Sequence, residues 1–146
     1  MKNFVIPAAA AAAIALVLSV PVAGQDKQGG AKLMTALSGA AEPGGGDQDG
    51  AGTFSGTVNP GKMQVCYDLL VMNVDTPTAA HIHEAPAGQS GPVVVTLTAP
   101  VAGSSTGCAT VTRQLAIELI KSPADYYVNV HNAAFPAGAV RGQLSK

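Results

Sequence analysis

The sequence predicts an all-β protein, an antiparallel sandwich of about eight short strands with one short helix. Three observations carry that prediction. Apolar residues recur with a period of two along most of the chain, clusters of Gly, Pro, Asn and Asp interrupt these runs at short intervals, and one segment alone changes to helical spacing. A chain with 17 Gly and 10 Pro but only 4 % aromatic residues suits many short strands joined by turns.

The elements follow in order. Residues 1–24 read as a secretory signal peptide: Lys2, an apolar stretch from Phe4 to Val20, then the small residues of "PVAG". Cleavage is expected after Gly24 or Ala23. No Cys follows the apolar run, which argues against a lipid anchor, and the segment between Pro7 and Pro21 is short for a membrane span. Residues 25–31 form a flexible lead-in to a single domain over 32–146. "KLMTALSG" is the first strand and "GTFSGTV" a weakly alternating second. In "MQVCYDLLV", Val65, Tyr67, Leu69 and Val71 share one face, while Gln64, Cys66 and Asp68 share the other. A strand carrying "AHIH" comes next. "PVVVTL" is a continuous apolar run, which predicts burial on both sides. "CATVT", "YYVNVH" and "AVRGQL" complete the set. Between "CATVT" and "YYVNVH" lies "TRQLAIELIKSP", where Leu115, Ala116, Leu119 and Ile120 fall on one helical face, Thr112 is placed as N-cap and Pro123 ends the run.

Removing Lys2 with the leader leaves seven basic against nine acidic residues, with no basic patch, so nucleic acid is not an expected partner. No second apolar stretch is long enough to cross a membrane. Cys66 and Cys108 are the only cysteines, both in strand-like segments of a chain bound for export. A disulfide is the expected state in an oxidising compartment, and neither Cys has the close Cys neighbour of a thiolate metal site. For a loop of this length the chain-entropy model gives roughly 4 kcal/mol as an upper figure.

The three histidines are His81, His83 and His131. On a strand, side chains two apart share a face with Cα atoms about 6.5–7 Å apart. His81 and His83 therefore lean to one side while Ile82 faces the core. In "YYVNVH" the same alternation groups Tyr127, Asn129 and His131 against Tyr126, Val128 and Val130. If the two strands adjoin, three imidazoles converge on a site suited to copper or zinc, with a coordination position left open. The competing expectation is plain: strand histidines also satisfy themselves on backbone carbonyls. Glu84 and Asp125 are either outer acceptors for such a site or surface carboxylates, the latter preferred.

Other chemistry finds little support. No Ser or Cys sits in a GxSxG setting, and "EPGGGDQDG" lacks the lysine and following helix of a phosphate loop. Asp47 and Asp49 are too few, and wrongly spaced, for an EF-hand calcium site, so that segment is expected to be a mobile hairpin loop. Arg141 is expected to pair with a carboxylate across the sheet. No catalytic residue is assigned.

An ordered series of motifs resembles the CHRD domain, the module named after chordin: "LSGAAE", "GAGTFSGTV", "VCYDLLV", "TAAHIHEAPAGQSGPVVVTL", "GCATV", "YYVNVHNAAFPAG" and "VRGQL", over about residues 33–144. His81, His83, Gly91, Pro92, Tyr127, Asn129, His131, Pro136, Gly138, Arg141, Gly142 and Gln143 match the family's motif positions. Ala139 departs from it, since the family commonly places a Glu there. The His-x-His strand is also similar to the copper-ligand strand of copper-zinc superoxide dismutases, although the fourth histidine and the zinc ligands of those enzymes have no counterpart. The resemblances imply an immunoglobulin-like or superoxide-dismutase-like sandwich.

Two readings of function follow. The first is a secreted or periplasmic, non-catalytic binding or structural module, of stand-alone bacterial type, whose partner is a protein or another component of the cell envelope. The second is a copper- or zinc-binding protein using His81, His83 and His131, with redox or dismutase activity if copper occupies an open site.

Overall fold

A computed structural model describes residues 30–146; the expected leader over 1–24 and most of the expected lead-in lie outside the described residues. The first strand, β1 (Ala31–Ser38), starts at the last residue of that lead-in, with Ala31 paired to Val58. It is followed by β2 (Ala51–Asn59), β3 (Gln64–Met72), β4 (Pro77–Glu84), β5 (Val93–Leu97) and β6 (Ser104–Thr110). Helix α1 (Arg113–Lys121) comes next, then β7 (Tyr126–Asn132) and β8 (Val140–Gln143). All pairings are antiparallel, in the order β5-β4-β7-β8-β1-β2-β3-β6. The expected class holds: eight strands, one short helix, and a sandwich.

The sheet divides at a thin seam. β1 and β8 share only the pair Ser38 and Arg141, extended by a bridge between Met34 and Ser145. Gly142 makes that approach possible, because a Cβ there would lie 2.2 Å from the Ala36 carbonyl oxygen. The two four-stranded halves contribute to one core, with Leu33, Phe54 and Leu69 from one half against Ile82, Val128 and Val130 from the other. Period-two alternation supplies these residues: in β3, Val65, Tyr67, Leu69 and Val71 are buried and Asp68, Leu70 and Met72 exposed. β2 alternates as cleanly, its buried Gly52 and Gly56 disguising the pattern in the sequence.

One strand differs from expectation. β5 lies at the sheet's edge rather than inside, so Val93 is 49 % exposed, Val94 is only partly buried, and Val95 and Leu97 enter the core. A run of valines reports β-propensity, but its burial depends on having neighbours on both sides.

Helix α1 forms as its sequence suggests. The Thr112 hydroxyl accepts from the Leu115 amide at 3.1 Å, and Ala116 and Leu119 pack wholly into the core. Cys66 and Cys108 stand directly opposite each other on β3 and β6 and form a disulfide.

Candidate metal centre

The site lies on the outer face of the other half-sheet, over β4, β7 and β8. Its layout follows from register. His81 pairs with Asn129, and Asn129 with Arg141; His83 pairs with Tyr127, and Tyr127 with Gln143. His131 is one step further along β7, opposite Ala79, whose small side chain leaves room for the imidazole to lean diagonally towards His81. The core sides of the same strands carry Ala80, Ile82, Val128, Val130 and Val140.

The three histidines converge. One ring nitrogen from each of His81, His83 and His131 lies within 4.8 Å of the others. The closest pair, His81 Nδ1 and His131 Nε2, is 3.1 Å apart. Two imidazole nitrogens on one ion with bonds of 2.0–2.1 Å stand about 3.4 Å apart in a tetrahedron, so ring movements on the order of 1 Å would bring all three to ligating distance.

Backbone carbonyls set two of the tautomers. His83 Nδ1–H donates to the Gly91 oxygen at 2.9 Å, and His131 Nδ1–H donates to the Pro136 oxygen at 3.0 Å. Both rings must then carry their lone pairs on Nε2. His131 Nε2 meets His81, which therefore donates from Nδ1. His83 Nε2 is buried without a partner. Burial, then the neighbouring His131 and His83 rings, lower the pKa of His81; burial also lowers that of His131, against the opposing Pro136 hydrogen bond. Both shifts favour the neutral form of His81 and His131, the form that ligates metal.

The surroundings are built with equal care. Tyr127 is stacked on His83, with ring centroids 4.8 Å apart and planes 8° from parallel. The Arg141 guanidinium lies 3.4 Å from the Tyr127 centroid. Because β4 and β8 flank β7 on opposite sides, the tyrosine ring is held between imidazole and guanidinium. Among the described residues, the hydrogen bonds of Arg141 go to amide oxygens rather than to the carboxylate expected of it. Its donors go to the carbonyls of Gln89 at 2.6 Å and Pro86 at 3.2 Å, and to Gln143 Oε1 at 3.4 Å. Gln143 in turn donates to the carbonyls of Ala85 and Ala124. Asn129, 2 % exposed, donates from Nδ2 to Glu42 Oε1, while its own Oδ1 has no partner.

Glu42 is the residue that the sequence did not reveal. It ends "LSGAAE", far from the histidines in sequence, and is carried over β8 by the loop after β1. Its carboxyl is raised above the usual range by burial, against the pull of Arg141 and the Asn129 hydrogen bond. It brings an acidic group near Arg141 although position 139 holds a buried Ala. Gly138, at φ +151°, leaves the space: a Cβ there would meet Glu42 Oε1 and Asn129 Nδ2. The loop carrying Glu42 was expected to be a mobile hairpin loop, but it is tied down, its Asp47 amide donating to the Ala139 oxygen at 2.8 Å. Asp47 and Asp49 gather with Asn73 and Asp75 around a separate depression and are not among the described candidate ligands of the histidine cluster. Glu84 and Asp125 are exposed surface carboxylates.

The family model described as CHRD domain matches residues 33–144, from β1 through β8 and the whole of this site. The chain belongs to the CHRD domain family. No curated protein and no solved structure matches it. No described helix is long and apolar enough to cross a membrane.

Proposed function

We propose that this CHRD domain is an exported, non-catalytic module of the periplasm or extracellular space that binds a copper or zinc ion through His81, His83 and His131. One observation carries the reading: three imidazoles from β4 and β7 turn towards one another, and the His83 lone pair is buried with nothing to accept. A buried polar atom without a partner costs about 1–3 kcal/mol, a penalty that a bound ion would remove. Carbonyl partners on the opposite ring nitrogens of His83 and His131 are the outer contacts that orient metal-ligating histidines. Among divalent ions, Cu²⁺ would bind such a nitrogen set more tightly than Zn²⁺.

Binding requires one proton to move. His81 Nδ1–H faces the His131 lone pair, so an ion taken between these nitrogens shifts the His81 proton to Nε2 or to solvent. The disulfide and the apolar leader support export. The absence of an assigned nucleophile or catalytic pair in the sequence supports a binding role.

Isothermal titration with Cu²⁺ and Zn²⁺ tests the reading, with His83→Ala and His131→Ala as references. The expected result is one ion per chain, bound at least tenfold more weakly by either variant. Wild-type affinity no greater than that of the variants would overturn it and leave the module with a protein or other envelope component as its only partner.

A further inference from the structure

The Gly91 carbonyl that fixes the His83 tautomer belongs to the loop between β4 and β5, and that loop has little packing of its own. Residues 86–90 are all exposed, and Ala85 is its only buried apolar residue. A backbone bond from the Glu84 amide to the Pro92 oxygen at 3.1 Å closes its far end, and its other ties to the sheet beneath are polar and converge on three side chains. Arg141 donates to the carbonyls of Pro86 and Gln89, Gln143 donates to that of Ala85, and the Tyr127 hydroxyl accepts from the Gly91 amide at 3.3 Å. Gly91 itself is seated so closely that a Cβ would lie 1.9 Å from the Glu84 oxygen.

We infer that Arg141 is a positioning residue for the metal centre: by strapping the 85–92 loop to β8, it holds the Gly91 carbonyl where it keeps the His83 proton on Nδ1 and the lone pair on Nε2. The inference rests on the metal-binding reading. Its physical basis is the planar fork of the guanidinium, which reaches two carbonyls of the loop at once while lying flat on Tyr127, whose ring stacks on His83. Lysine has the charge but neither the fork nor the flat face.

Simple electrostatics predicts the opposite effect. Arg141 is 2 % exposed and lies across one aromatic ring from His83, so its positive charge repels a bound cation. Neutralising it should tighten metal binding if charge governs. Losing the strap should weaken binding, as loss of an outer-contact partner does, by about 10- to 100-fold. The sign of the change separates the two.

The experiment compares wild type, Arg141→Gln, Arg141→Lys and Tyr127→Phe. Imidazole ¹⁵N spectra of the metal-free proteins read the His83 tautomer, and titration with Cu²⁺ reads affinity. Expected are a single Nδ1–H tautomer in wild type, a mixture in Arg141→Gln with affinity reduced 10- to 100-fold, and no rescue by Arg141→Lys. Tyr127→Phe keeps the ring and loses only the bond to the Gly91 amide, so it should show the same changes to a smaller extent and serves if the Arg141 variants do not fold. An unchanged tautomer, or affinity that rises or stays constant, would overturn the inference. Wild-type protein that binds no Cu²⁺ would end the metal reading and the role of the strap in binding, whereas wild-type binding with an unchanged tautomer in the variants defeats the strap alone.

Discussion

Replacing Cys66 and Cys108 together by serine tests whether the disulfide acts on the fold independently of the histidine site. The bond joins residues 42 apart in sequence and ties β3 to the edge strand β6. Closing a loop of that length in the unfolded chain corresponds to about 4 kcal/mol in the chain-entropy model, and residual structure in the unfolded state lowers the expected loss to about 2–4 kcal/mol. On the outer face Cys66 is half-buried and Cys108 exposed, so serine introduces no buried polar group there. For a domain of this size each kcal/mol corresponds to roughly 4 °C, which puts the fall in Tm at about 8–16 °C. Urea unfolding followed by circular dichroism supplies a second readout. An unfolded chain freed of its cross-link exposes more surface, so the denaturant slope should rise as the midpoint falls.

The site should not notice. The disulfide belongs to the half-sheet of β1, β2, β3 and β6, and the histidines stand on β4 and β7 in the other half. Cu²⁺ affinity of the folded double variant should therefore match that of wild type. A loss below about 1 kcal/mol with an unchanged slope would refute the entropy argument. A tenfold loss of Cu²⁺ affinity in protein that is still folded would refute the separation of the two halves.

Other perturbations address single contacts. His81 and His131 hold protons more weakly in the folded protein than at the ordinary histidine value of 6.5, so the unfolded chain binds more protons as pH falls; their contribution to stability is complete above pH 6.5 and declines below it, as denaturant midpoints across pH 4–8 should show. Bound Cu²⁺ should accordingly persist somewhat below pH 6.5 and be released on further acidification, read by competition with a chromophoric chelator. Gly91→Ala places a methyl against the Glu84 carbonyl and should cost about 1–3 kcal/mol in urea unfolding, with weakened Cu²⁺ binding because the His83 partner is displaced. Thr112→Ala removes the cap on α1 and should cost about 1 kcal/mol with no effect on metal binding.

The fold could be read from the sequence wherever one face of a strand meets the core and the other meets water. In β3 the alternation of Val65, Tyr67, Leu69 and Val71 with polar neighbours is sufficient, since period two and burial then agree. The cap of α1 was equally legible, because Thr112 and Leu115 are local partners. β5 was misread for the opposite reason: edge position is a property of the whole sheet, and Val93 to Val95 look alike in either place. Arg141 was expected to pair with a carboxylate, whereas its hydrogen bonds go to loop carbonyls, since a sequence shows charges and conceals the carbonyls of a loop 50 residues away. Glu42 was invisible as a site residue because only the closure of one loop over β8 brings it to Asn129.

β7 explains why the candidate site was partly legible. A strand with one wet face should alternate, yet "YYVNVHN" is buried at every position except the half-buried His131. Its second face carries Tyr127, Asn129 and His131, which would be costly to cover unless each polar group found a partner. The loops do supply partners: Gly91 for Tyr127, Glu42 for Asn129, Pro136 for His131. Among the described residues, the buried side-chain nitrogen and oxygen atoms left over are Asn129 Oδ1 and His83 Nε2, both within this patch. An apolar face would have covered the sheet at less cost, so a polar row enclosed by three loops and still short of two partners is better explained by a ligand than by stability. The leftover nitrogen belongs to an imidazole beside two others, which is why we propose a metal ion, rather than a buried water alone, as the group that this face holds.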